Sequence, residues 1–139
     1  MNDRLHRLWS EHPFIRFSSV GCTNTVLMFI IFQFFVFLFD DASHSRTFAW
    51  SISWGIECII AYFLHRRITF RYEGALVSSF ARTMVIYGIA WVGSTFTYEV
   101  LDYRWGLPYL VAWLSTGIVW GIFNFFALGR FAMHQPSND

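Results

Sequence analysis

The chain contains no lysine, and only 14% of its 139 residues are charged. A soluble domain usually carries about a quarter charged residues, so this chain has too little charge to clothe a surface in water. Its net charge of +1 supplies no overall field for nucleic acid. Its two cysteines, Cys22 and Cys58, lie inside apolar runs and lack metal-ligand spacing. They read as small buried thiols, not as a disulfide or a zinc site. The signatures of catalysis are missing too: there is no GxSxG, HExxH, Walker or dinucleotide motif, and the five histidines are scattered. Chemistry by this chain alone is not expected, and neither is a cofactor or a metal.

Apolar residues fill the space that charge leaves. Hydrophobic residues make up 55% of the chain and aromatics 22%, including 17 Phe and 7 Trp. A water-soluble core of this size could not bury them all, so the bilayer must take a share. Apolar runs cover 17–39, 47–64, 83–101 and 106–129. The first is too long for a signal peptide and is not followed by a convincing cleavage site. None alternates apolar with polar residues as a membrane-barrel strand would. The expected fold is therefore an all-α integral membrane protein of one domain with four transmembrane helices.

Arginine placement orients it. Four crossings bring the chain back to its starting side, which holds Arg4, Arg7, Arg16, Arg66, Arg67, Arg71, Arg82 and Arg130. The other side holds only Arg46 and Arg104, beside Asp40, Asp41 and Asp102. Positive residues stay in the cytosol, so both termini are expected there. Phe14-Ile15-Arg16 opens the first half as Phe80-Ala81-Arg82 opens the second, and each half closes on aromatics followed by Arg. This suggests two parallel two-helix repeats.

Counting from the arginines gives depth. Glu57 precedes Arg66 by nine residues, about 13.5 Å into a hydrocarbon layer about 30 Å thick. Asn24 and Asn124 reach depths of about 10 and 9 Å from the same side. Glu57, Ala61, Leu64 and His65 share a helical face by spacing. A carboxylate at that depth costs about 2.5–3.5 kcal/mol, so Glu57 should face the bundle interior, protonated or paired. Two readings stay open: a group that titrates or touches a ligand, and an acid hydrogen-bonded to Asn24 or Asn124. Asn24, Glu57, His65 and Asn124 are the candidate substrate-binding cluster.

Arg16, Arg66, Arg67, Arg82 and Arg130 form a collar where helices meet the headgroup layer. Guanidinium forks suit phosphate, although topology alone would also place arginines there. Gly117 and Gly121 read as a small-xxx-small pair that admits a neighbouring helix. The aromatics are expected mostly at lipid-facing or interfacial positions, and Glu99, at the outer interface, is expected to be solvated.

Three short motifs carry a resemblance. Residues 61–70 read AYFLHRRITF; Phe14-x-Arg16-Phe17 precedes Val20-Gly21-x-x-Asn24-Thr25; and Asn124-Phe125 precedes Arg130-Phe131. In order and spacing they resemble the second-helix end, the opening and the closing motifs of GtrA-like proteins. His65 stands where that family often has Asn, Ile68 where Trp is common, and Met133 where an aromatic is common.

The resemblance implies a flippase of the bacterial cytoplasmic membrane. It would move a polyprenyl-phosphate-linked sugar, such as undecaprenyl-phosphate glucose, outward for cell-surface polysaccharide synthesis. The implied partners are that lipid carrier, membrane lipids and a separate membrane glycosyltransferase. Four short helices enclose little volume, so a homodimer or larger assembly is expected. Two rival readings remain. One is a non-transporting anchor for a glycosyltransferase, in which residues 65–82 would matter and the polar cluster would not. The other is a proton-coupled exporter of small cationic compounds; those carry their acid in the first helix, whereas Glu57 is in the second.

The topology gives the first prediction. A reporter fused after Asp139 should read cytosolic and one inserted at Ser43 external; a cytosolic signal at Ser43 would overturn every depth above.

Overall fold

The computed structural model describes residues 12–40, 42–71 and 73–132. Arg4, Arg7, Asp41 and Met133 lie outside the described residues. Helix α1 spans Pro13–Leu38, α2 Ser45–Leu64, α3 Leu76–Glu99 and α4 Tyr109–Ala127. The last three each run on into a π-helical turn: His65–Thr69, Val100–Arg104 and Leu128–Ala132. No strand occurs among the described residues. With these turns included, all four helices are long and apolar enough to cross a membrane. In hydrocarbon every backbone group must bond within its own segment, and a helix does this.

The helices outrun the apolar runs that announce them. Helix α3 begins at Leu76 and not near Thr83, because its first turns, with Ser78, Ser79 and Arg82, are helical but polar. Proline opens α1, where its missing N–H costs nothing. Gly106 takes φ +67 between α3 and α4, a conformation that glycine adopts without strain.

Packing follows chain order. Helix α1 lies on α2, α2 on α3 and α3 on α4, while α4 returns to α1 only sparsely. Lipid offers no hydrophobic drive between helices, so close fit and hydrogen bonds must hold them together. The half remote from the arginines is an aromatic core around Trp50. Its ring stacks on Tyr98 at 5.0 Å and its Nε1 donates to Ser94 Oγ at 3.3 Å. Trp54, Trp113 and Phe32 are buried in the same cluster, with Ala49, Ala90 and Ala112 between them. The aromatics are thus divided. Phe34, Phe37, Phe96 and Phe126 are exposed as expected, but the tryptophans at 50, 54 and 113 build the interior.

Two further expectations are corrected. A Cβ added at Gly117 or Gly121 would meet nothing within 4 Å, so no helix packs on that pair. The tight approach is at Gly93, where an added Cβ would run into the Trp120 ring of α4. Cys22 is exposed on the outside of α1, not buried.

Both ends are tied by polar contacts. At the end remote from the arginine-rich loop, Arg46 Nε bonds Asp102 Oδ2 at 2.7 Å and its guanidinium lies over Tyr103. Glu99 stays partly exposed but is not left to solvent alone: it pairs with His44 Nδ1 at 2.7 Å and accepts a hydrogen bond from the Thr47 hydroxyl. These contacts pin the start of α2 to the end of α3. At the arginine-rich end, Arg66 donates to the Gly74 carbonyl at 2.5 Å and to the hydroxyls of Ser79 and Tyr62, bracing the loop between α2 and α3.

Thermal melting of purified protein checks both devices. Gly93→Ala should destabilise by about 1–3 kcal/mol through overpacking, while Gly117→Ala and Gly121→Ala should melt like wild type. Arg66→Ala should cost about 1.5–3 kcal/mol through its lost charged hydrogen bonds. Arg67→Ala, at an exposed position, should stay within about 0.5 kcal/mol of wild type.

Candidate functional site

A cavity of about 370 Å³ lies inside the bundle, with α1, α2 and α4 as its main walls. Each helix contributes a polar side chain: Asn24 from α1, Glu57 from α2, Tyr87 from α3 and Asn124 from α4, with His65 at the arginine-rich end. All four residues of the candidate cluster are therefore brought together. Ala61 joins them on the wall, as the shared helical face requires, but Leu64 does not line the cavity.

Burial here is deep. Asn24 is 7% exposed, Glu57 8% and Asn124 9%. Yet Asn24 Oδ1, Asn124 Oδ1, both Glu57 carboxylate oxygens and the Tyr87 hydroxyl have no hydrogen-bond partner among the described residues. The simple interhelical tie between Glu57 and either asparagine is not made. An unpaired polar group in an apolar setting costs roughly 2–7 kcal/mol, and native interiors hold few of them. Four acceptor oxygens gathered in one cavity suit a ligand rich in hydroxyl donors.

His65 is held from two sides. Its ring stacks on Phe17 with centroids 4.5 Å apart, and its Nδ1 is 2.9 Å from Thr69 Oγ1. The π-helical turn makes this possible by rotating Thr69 inward, where it is fully buried.

The collar does not act as one set. Arg16 is buried, and its Nε donates to the Thr69 carbonyl at 2.8 Å, joining α1 to the π-helical turn. Arg66 is half-buried in the loop brace described above. Arg82 is exposed, with its Nε on the Ser78 carbonyl of its own helix at 3.3 Å. Arg67 and Arg130 are exposed. None of the five is among the residues that line the cavity. The polar cluster and the arginine-rich end are neighbouring layers, not a single pocket.

Sequence reasoning passed over Tyr87, Trp54 and Trp113, all of which line the cavity. For Tyr87 a signal existed: it follows Arg82 by five residues, about 7.5 Å into the membrane by the same depth count. For the tryptophans none did, because the face an indole presents depends on how the helices are packed.

No curated protein and no solved structure matches the chain. The family model of the GtrA/DPMS transmembrane domain matches residues 16–133, which takes in all five collar arginines and all four helices but for the first three residues of α1. The chain belongs to the GtrA/DPMS transmembrane-domain family.

Proposed function

We propose that this multi-pass membrane protein flips a polyprenyl-phosphate-linked monosaccharide across the bacterial cytoplasmic membrane. Family membership supports a role of this general type. The observation that carries the reading is the cavity: buried acceptors without partners, where a sugar's hydroxyls would satisfy them. Asn24, Glu57, Asn124 and His65 bind the sugar in this scheme. The exposed Arg67 and Arg130 attract the phosphate at the cytosolic face, and Arg16 holds the turn that carries His65. A separate membrane glycosyltransferase consumes the sugar outside, and the working unit is a homo-oligomer.

A bare sugar cannot cross hydrocarbon because each of its hydroxyls would lose its hydrogen bonds to water. The cavity replaces those bonds part-way across while the polyprenyl chain stays in lipid. Unpaired, Glu57 rests protonated and can both donate and accept; as a carboxylate met by ligand hydroxyls it makes the stronger, charge-assisted kind of bond.

Glu57→Gln tests this directly. The amide keeps the shape but exchanges one acceptor for a donor and removes the charge. The variant should fold and melt like wild type yet flip lipid-linked hexose in vesicles about 10–100-fold more slowly, the worth of one charged hydrogen bond. Wild-type flipping by a well-folded Glu57→Gln protein would remove the carboxylate from the scheme.

A further inference from the structure

Helices α1 and α4 pack sparsely, and aromatic contacts join them at two levels. At the arginine-rich end Phe125 of α4 packs on Phe14 and Phe17 of α1, with centroids 5.4 and 4.8 Å apart. At the far end Trp113 of α4 packs on Phe29 and Phe32, at 5.2 and 6.5 Å. Twelve residues separate Phe17 from Phe29, and twelve separate Trp113 from Phe125. The two clasps therefore stand about 18 Å apart along both helices, well within a hydrocarbon layer of about 30 Å.

Between the clasps the seam is open. Gly21 on α1 and Gly117 and Gly121 on α4 line the cavity there, and a Cβ added at any of them would meet nothing within 4 Å. Leu114, Ile118, Ile122 and Phe126 follow each other at every fourth position along α4. They line the cavity and are also exposed on the outside of the bundle, so they form its rim. The window leads inward to Asn24 and Glu57, which are more than nine-tenths buried and hold unpartnered oxygens, and to Trp113, whose indole N–H also lacks a partner.

We infer that the α1–α4 seam is a sideways doorway through which the polyprenyl chain of a lipid-linked ligand passes from the polar cavity into the bilayer. This rests on the reading of the ligand as a lipid-linked sugar and adds its route. Aromatic clasps close the seam towards both aqueous faces and the window between them faces hydrocarbon, so the doorway admits only what already resides in the membrane. A plain hydrocarbon chain would leave the cavity's oxygens unpaired. A polar head on an apolar tail suits both parts at once: head against Asn24, Glu57 and Asn124, tail out past the glycines. The glycines matter because side chains at 21, 117 and 121 would fill the gap that the chain must thread.

The test uses the full chain in liposomes with a polyprenyl-phosphate hexose carrying a photoreactive diazirine in the isoprene unit next to the phosphate. Adducts should map to the seam, around Thr25 and Ile118. An excess of unlabelled lipid-linked hexose should displace them, and the same excess of phosphatidylglycerol should not. Gly121→Leu should melt like wild type, since its Cβ has open space, and should lower the adduct yield about tenfold, the effect of about 1.4 kcal/mol of lost binding.

Adducts confined to the outer faces of α2 and α3, equal displacement by phosphatidylglycerol, or an unchanged yield in Gly121→Leu would each overturn the doorway. So would a disulfide between two copies through Gly121→Cys in a chain lacking Cys22 and Cys58, because a second copy would then cover the seam. Flipping measured on the same liposomes separates the two ideas. Flipping with adducts elsewhere sinks the doorway and leaves transport standing; adducts at the seam without flipping do the reverse.

Discussion

Hydrocarbon offers no hydrogen bonds, and the arrangement of this bundle answers to that shortage. Backbone groups meet it by forming helices, which need no partner segment. Charged side chains meet it by collecting at the two ends. There Arg46 with Asp102, His44 with Glu99, and Arg66 with Ser79 and Gly74 satisfy one another. In the tryptophan core the Trp50 N–H bonds Ser94, while the Trp54 and Trp113 N–H groups and the Tyr98 hydroxyl have no partner among the described residues. Asn24, Glu57, Tyr87 and Asn124 keep unpaired atoms in the cavity, as do Gln33, Ser53, Thr83, Thr95, Tyr98 and Thr116 outside it. What sets the cavity apart is that the unpaired oxygens of Asn24, Glu57 and Asn124 share one space of a size that holds a ligand.

The ends and the middle divide the work accordingly. Each end is braced across a loop, so α2 is fixed to α3 at both faces of the membrane. Helices α1 and α4, which flank the cavity, pack sparsely and meet through ring contacts near both ends of the cavity. Ring pairs contribute about 0.5–1.5 kcal/mol each beyond their buried area, less than a charged hydrogen bond network. The sparsest seam in the ring of helices is thus the one that borders the polar site. Rigid support on one side and a loosely held wall on the other is a sensible way to admit a bulky amphiphile.

The collar of arginines shows how one signal can serve several purposes. Positive residues at the cytosolic ends of helices orient insertion whatever else they do. Here Arg16 and Arg66 also act as structural donors, and Arg67 and Arg130 remain exposed. A reading by charge alone cannot separate these uses, because insertion needs only the charge, whereas bracing and binding need a particular neighbour.

Composition and hydropathy by themselves determined the four helices, since the cost of burying an unpaired backbone or a charge is local and additive along the chain. They also placed Glu57, Asn24 and Asn124 at comparable depths, because rise per residue is fixed, and the short motifs around Asn24, residues 61–70 and Asn124 were enough to identify the family. What the tertiary structure alone decided is which faces meet. Gly117 and Gly121 have the spacing of a packing motif yet line an open window, while Gly93, unremarked in the sequence, is pressed against Trp120. Glu99 sits at an interface where solvation would be cheap, yet His44 and Thr47 reach it from a segment about 50 residues away in the chain. Rotation about a helix axis moves a residue from lipid to core without changing its depth or neighbours in sequence. That rotation is set by side chains on other helices, and no local pattern records it.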